Sequence, residues 1–82
     1  MVLQAKPINH GQSEIWLEAD DKELTPHRTL ATNEVVNVTR RHCPEDIFKD
    51  FYQRYHIALD QAASLSVPNL EEIATELKLH TK

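Results

Sequence analysis

Hydrophobic and polar positions follow two different rhythms along the chain. In Ser13-Glu14-Ile15-Trp16-Leu17-Glu18-Ala19 they alternate. Successive side chains of a strand point to opposite faces, so this alternation predicts a half-buried strand with Ile15, Leu17 and Ala19 inward and Trp16 outward. Asn9-His10-Gly11 supplies a turn before it, and the chain opens on the apolar pair Val2-Leu3. Together these predict a β-hairpin pairing about 2–8 with 13–19. Asp20-Asp21-Lys22 reads as the next turn. Thr25-Pro26 discourages a helix through the following stretch, because proline removes an N–H donor and restricts the residue before it. A third strand fits near 28–30.

From Pro44 the rhythm becomes helical. Ile47, Phe48, Phe51, Tyr52, Tyr55, Ala58, Leu59 and Ala62 recur at spacings of three and four, and at ~100° per residue they fill one face roughly 140° wide. Pro44 suits a first turn, and Glu45 and Asp46 place negative charge at the positive end of the helix dipole. The spacing predicts a long helix over about 44–64. After Leu65-Ser66-Val67-Pro68, Asn69 reads as an N-cap with Glu72 reaching back to it. Leu70, Ile73, Ala74 and Leu77 form the buried stripe of a shorter helix over about 70–79. So short a connection favours an antiparallel helix hairpin. Between the halves, Val35, Val36, Val38 and Thr39 favour a strand by β-branching, whereas Thr32 would make a helix cap; helix is the reading adopted for 33–42. The fold class expected is α+β: a small antiparallel sheet, then a helix hairpin, in one domain spanning 1–82.

Composition narrows what such a domain does. With 82 residues, 40% hydrophobic and 27% charged, it is an ordinary globular chain, and no segment approaches the ~20 apolar residues of a membrane span. The start carries no long apolar leader, and one cysteine allows no internal disulfide, so a cytoplasmic location is expected. A single glycine, Gly11, is incompatible with a Gly-rich phosphate loop, and no cofactor is expected. The net charge of -4 is divided unevenly: residues 1–26 and 44–82 each carry -3, and 27–43 carry +2. The basic middle segment, through Arg28, Arg40 and Arg41, could contact an anion or nucleic acid, although so few cations make a small footprint.

Two further spots have the chemistry of a site. Cys43 follows Arg40-Arg41-His42 and precedes a helix start, surroundings that stabilise a thiolate and predict alkylation well below pH ~8; its plain alternative is a packed thiol. The five histidines (His10, His27, His42, His56, His80) lack the paired spacing of a zinc site, and no metal is expected. Residues 68–77 resemble the supporting helix of a helix-turn-helix, which would need a recognition helix after Leu77. On the polar face of the long helix, Ile57 stands between Gln53 and Gln61 in an uncharged strip, and an outward Trp16 would be a matching anchor. The leading expectation is a non-catalytic, regulatory protein-interaction module that forms a homodimer, because the apolar arc of the long helix is wider than one short helix covers. A nucleic-acid-binding regulator and a thiol-dependent protein are the alternatives.

Overall fold

The computed structural model describes residues 1–57 and 61–79. Their elements run β1 (Val2–Pro7), β2 (Gln12–Ala19), β3 (Lys22–Glu23), β4 (Arg28–Ala31), α1 (Thr32–His42), α2 (Glu45–Ile57), β5 (Ala63–Leu65) and α3 (Leu70–Glu76). The class is α+β, with an antiparallel five-stranded sheet. Its order is β3-β2-β1-β5, and β4 lies beside the N-terminal half of β2. The β1–β2 hairpin pairs Leu3 with Leu17 and Ala5 with Ile15, so one apolar row crosses the sheet. Its turn is held by Asn9, whose Oδ1 accepts the Gly11 N–H at 3.0 Å. Asp20 and Asp21 both have positive φ (52° and 63°), the backbone that closes a two-residue hairpin into β3 without splaying the strands.

All three helices pack on one face of the sheet. Leu3, Ala5, Ile15, Leu17, Ala63 and Leu65 meet Val35 and Val38 of α1, Phe51 and Tyr55 of α2, and Ile73 and Leu77 from α3 and its cap in one cluster. In α1 the three-and-four spacing of Val35, Val38 and Thr39 outweighs β-branching. Burial of that stripe decides for helix, helped by Glu34 in the first turn and Arg40, Arg41 and His42 in the last. Thr32 is not a cap: its hydroxyl bonds Ser13 Oγ at 2.8 Å, and Ala31 occupies the cap position. The α3 helix ends in a Schellman motif, with Lys78 at φ 58° and the Leu79 N–H donating to Ala74 O at 2.9 Å.

The long-helix expectation requires correction. The described part of α2 ends at Ile57, and Ala63–Leu65, expected as the end of the long helix (through Ser64) and the start of the link (Leu65), is a strand paired with Leu3–Ala5 of β1. Ala58 and Leu59 of the expected stripe lie outside the described residues. The strand separates α2 from α3, so the expected side-by-side hairpin gives way to α3 packing on α1 and β1. Asn69 occupies the N-cap position of α3 as expected but makes no side-chain capping bond there; its Nδ2 donates instead to the His42 carbonyl at 2.8 Å, tying off the end of α1. Glu72 lies 3.6 Å from His42 Nδ1, and Glu76 binds His42 Nε2 at 2.9 Å and Arg41 at 3.4 Å, so two carboxylates one turn apart on α3 clasp the end of α1. Phe48, Phe51 and Tyr55 of the aromatic arc of α2 are buried within the one chain, and Tyr52 is 37% exposed; most of the arc is covered without a second copy, so its width is no argument for one.

Candidate functional site

Trp16 points to the face of the sheet opposite the helices, as the alternation predicts, but it is not an exposed anchor. It is 8% exposed because the His27 ring stacks on it at 3.9 Å between centroids. Its indole N–H donates to Glu18 Oε1 at 2.7 Å, while Glu18 Oε2 accepts from Gln4 Nε2 at 3.2 Å and Ser64 Oγ donates to Gln4 Oε1 at 2.8 Å. His27 is held at one nitrogen by Glu14 and at the other by Glu23, the latter at 2.7 Å. Burial alone would lower the His27 pKa. The hydrogen bonds and charges of Glu14 and Glu23 outweigh that and hold it above the ordinary value. This outer face is a closed polar lattice over one tryptophan.

The uncharged strip fares differently. Gln53 and Ile57 are both exposed on α2, and Ile57 is the most exposed large apolar residue described, at 74%. Ile57 and Gln61 line one shallow hollow of about 310 Å³ with Arg54, Ala62, Ala63 and Ser64, at the outer edge of β5; Gln53 does not line it, and Arg54 brings a charge to it that is paired with Asp50 at 3.0 Å. Two of the four expected contact residues therefore meet, and they meet beside a strand that the residue pattern did not disclose.

The three arginines are not gathered. Arg28 is on β4, Arg41 is engaged by Glu76, and Arg40 reaches into the space between α1 and α2 with its guanidinium 5.1 Å from the Phe48 ring centre. Cys43 is the C-cap of α1, two residues before α2. Burial pushes its thiol pKa up, the opposite of what a reactive thiolate requires. His10 and His56 line a common hollow with Arg40, His27 and His42 are occupied by glutamates, and His80 lies outside the described residues. Among the described residues no three histidine, cysteine or carboxylate side chains are grouped to hold a metal ion, and no helix is long and apolar enough to cross a membrane. No family model matches the chain, and no curated protein or solved structure matches it either.

Proposed function

We propose that the protein is a non-catalytic, regulatory interaction module that pairs with a second copy of itself across the edge of β5 that no other strand among the described residues occupies. The observation that carries this reading is the chemistry of that edge. An edge strand offers unpaired N–H and C=O groups, and proteins ordinarily blunt it with charge, proline or a covering element. Here β3 and β4 carry Lys22, Glu23 and Arg28, whereas Gln61-Ala62-Ala63-Ser64-Leu65-Ser66-Val67 contains no charged residue. Beside it stands Ile57, 74% exposed, whose complete burial contributes about 1.5–3 kcal/mol. Antiparallel pairing of two β5 edges about a twofold axis extends the sheet through both copies, and closed twofold symmetry is the commonest arrangement of homo-oligomers. The lone, half-buried free thiol of Cys43 fits a reducing compartment such as the cytoplasm.

Sedimentation equilibrium over a micromolar concentration series tests this reading on the parent, Ile57→Glu and Ser66→Lys. Both substitutions are at exposed positions and leave the core intact. A parent dimer that each change converts to monomer, with unaltered circular dichroism, supports it. A monomeric parent overturns self-association, and a dimer indifferent to both changes overturns the β5 assignment.

A further inference from the structure

The space between α1 and α2 is built from residues far apart in the chain. Asn33, Asn37 and Arg40, spaced by four and three, line it from α1. From α2 come Phe48, Tyr52 and His56, one helical turn apart, whose rings stack successively at 5.7 and 5.6 Å between centroids. The β1–β2 turn closes one end with His10. The groove has two compartments that share Arg40 and Tyr52. One, of about 440 Å³, is the polar end with the asparagines and histidines; the other, of about 460 Å³, lies against Phe48 and Cys43. Both volumes fall within the range of roughly 300–1,000 Å³ typical of small-molecule sites.

Charge gives the groove its direction. The chain carries thirteen carboxylate side chains, yet among the described residues none lines the polar compartment. Glu45, in the apolar compartment, is paired with Lys49 at 3.2 Å. Arg41 and Arg54 likewise have carboxylate partners, at 3.4 and 3.0 Å. Arg40 has none among the described residues; its guanidinium is left with the Phe48 ring for company. A guanidinium presents a planar fork of donors matched to phosphate and carboxylate oxygens, and the Asn33 and Asn37 amides add neutral donors on the same helix.

We propose that this groove binds a small aromatic anion. Arg40, with Asn33 and Asn37, holds its phosphate or carboxylate head in the polar compartment, and its flat ring lies against Phe48 and Tyr52 in the other. Small size follows from the same charge distribution, since the neighbouring cations Arg41, Lys49 and Arg54 are already paired with carboxylates and, among the described residues, Arg40 is the one unpaired arginine or lysine lining the groove, too little for a polyanion track. The groove shares no lining residue with the hollow of Ile57 and does not depend on self-association.

Amide NMR titration of the full chain with phenyl phosphate, benzoate, inorganic phosphate and phenol tests the assignment. Phenyl phosphate or benzoate should produce saturable shifts centred on Asn37, Arg40 and Tyr52, and whichever binds more tightly identifies the head group. Inorganic phosphate and phenol, each carrying half of the recognised chemistry, should bind at least about tenfold more weakly, the cost of one lost charge-assisted or aromatic contact. Arg40→Gln should weaken binding about tenfold, as should Asn37→Asp, which places a carboxylate in the polar compartment while changing size little. Tyr52→Gln, at a position 37% exposed, should remove the preference for aromatic over inorganic phosphate. Absence of saturable shifts with both aromatic anions overturns the proposal, as does affinity unchanged by Arg40→Gln and Asn37→Asp in variants whose remaining spectrum is that of the parent. Binding of a single-stranded oligonucleotide in preference to phenyl phosphate would overturn it in favour of a polymer site.

Discussion

Removing one buried hydroxyl should expose how the sheet and helices are fastened together. Ser13 Oγ on β2 bonds the Thr32 hydroxyl of α1 at 2.8 Å and the Tyr55 hydroxyl of α2, and both Ser13 and Tyr55 are essentially inaccessible, at 0% and 1%. Ser13→Ala leaves Tyr55 with a buried hydroxyl and no partner, at a cost of about 1–3 kcal/mol. Tyr55→Phe leaves Ser13 still bonded to Thr32, so it should cost only about 0.5–1.5 kcal/mol. For a chain of 82 residues the whole stability is on the order of 4–12 kcal/mol, so the serine change removes a large share of it. With a urea dependence near ~1 kcal/mol per molar, the midpoint should fall by roughly 1–3 M. In the double variant no tyrosine hydroxyl remains to be stranded, and its destabilisation should fall short of the sum of the single changes by ~1 kcal/mol. Urea unfolding followed by circular dichroism measures all four proteins. Additive losses would show that the two hydroxyls do not support each other and would refute the reasoning.

Three other outcomes follow from the same packing. Phe51→Asp buries an unpaired charge at a position 0% exposed and should leave the chain unfolded by circular dichroism; a variant with native ellipticity denies the inward face of α2. Because the folded-state pKa of His27 is raised above 6.5, its stabilising contribution is complete below that value and disappears as pH rises through the folded value, so the urea midpoint should drop across that window in the parent but not in His27→Gln. Fluorescence of the only tryptophan, stacked on His27, should report the same titration. The rate of Cys43 alkylation by iodoacetamide should rise only above the ordinary thiol range, and rapid reaction near neutrality would contradict the protecting effect of burial.

How much could be read from the residue pattern varied with length and locality. The hairpin was legible because eight residues of β2 alternate across a half-buried sheet and Asn9-His10-Gly11 marks its turn. The α1 helix was legible only in part, since four β-branched residues argue for a strand until the core shows which spacing is buried. Strand β5 was hidden: its three residues are too few to establish a period of two, and Ala62 continued the spacing of the helix before it. Cover for Trp16 comes from His27 in a loop eleven residues away, so the outward direction was legible and the burial was not. The groove was illegible altogether. His10, Arg40 and His56 belong to three elements, and only the packing of α1 beside α2 brings them to one space.

The outer face of the sheet bears on how two copies could meet, because the helices pack on the opposite face and leave it a competitor to the β5 edge. Glu14, Glu18 and Glu23 all lie on that face, offset by Lys6 opposite Glu14 and by His27. Stacking two such faces would bring three carboxylates from each copy together and would strip water from groups already committed to Trp16, Gln4 and His27, so like-charge repulsion and desolvation both oppose it. Edge pairing through the uncharged Gln61–Val67 stretch incurs neither cost. The two geometries respond differently to salt. A face-to-face dimer would tighten steeply as screening relieves the carboxylates, whereas a β5 dimer held by backbone hydrogen bonds and the burial of Ile57 should keep nearly the same dissociation constant. Sedimentation equilibrium at low and at high sodium chloride distinguishes them, and a dimer that forms only at high salt would remove β5 from the interface.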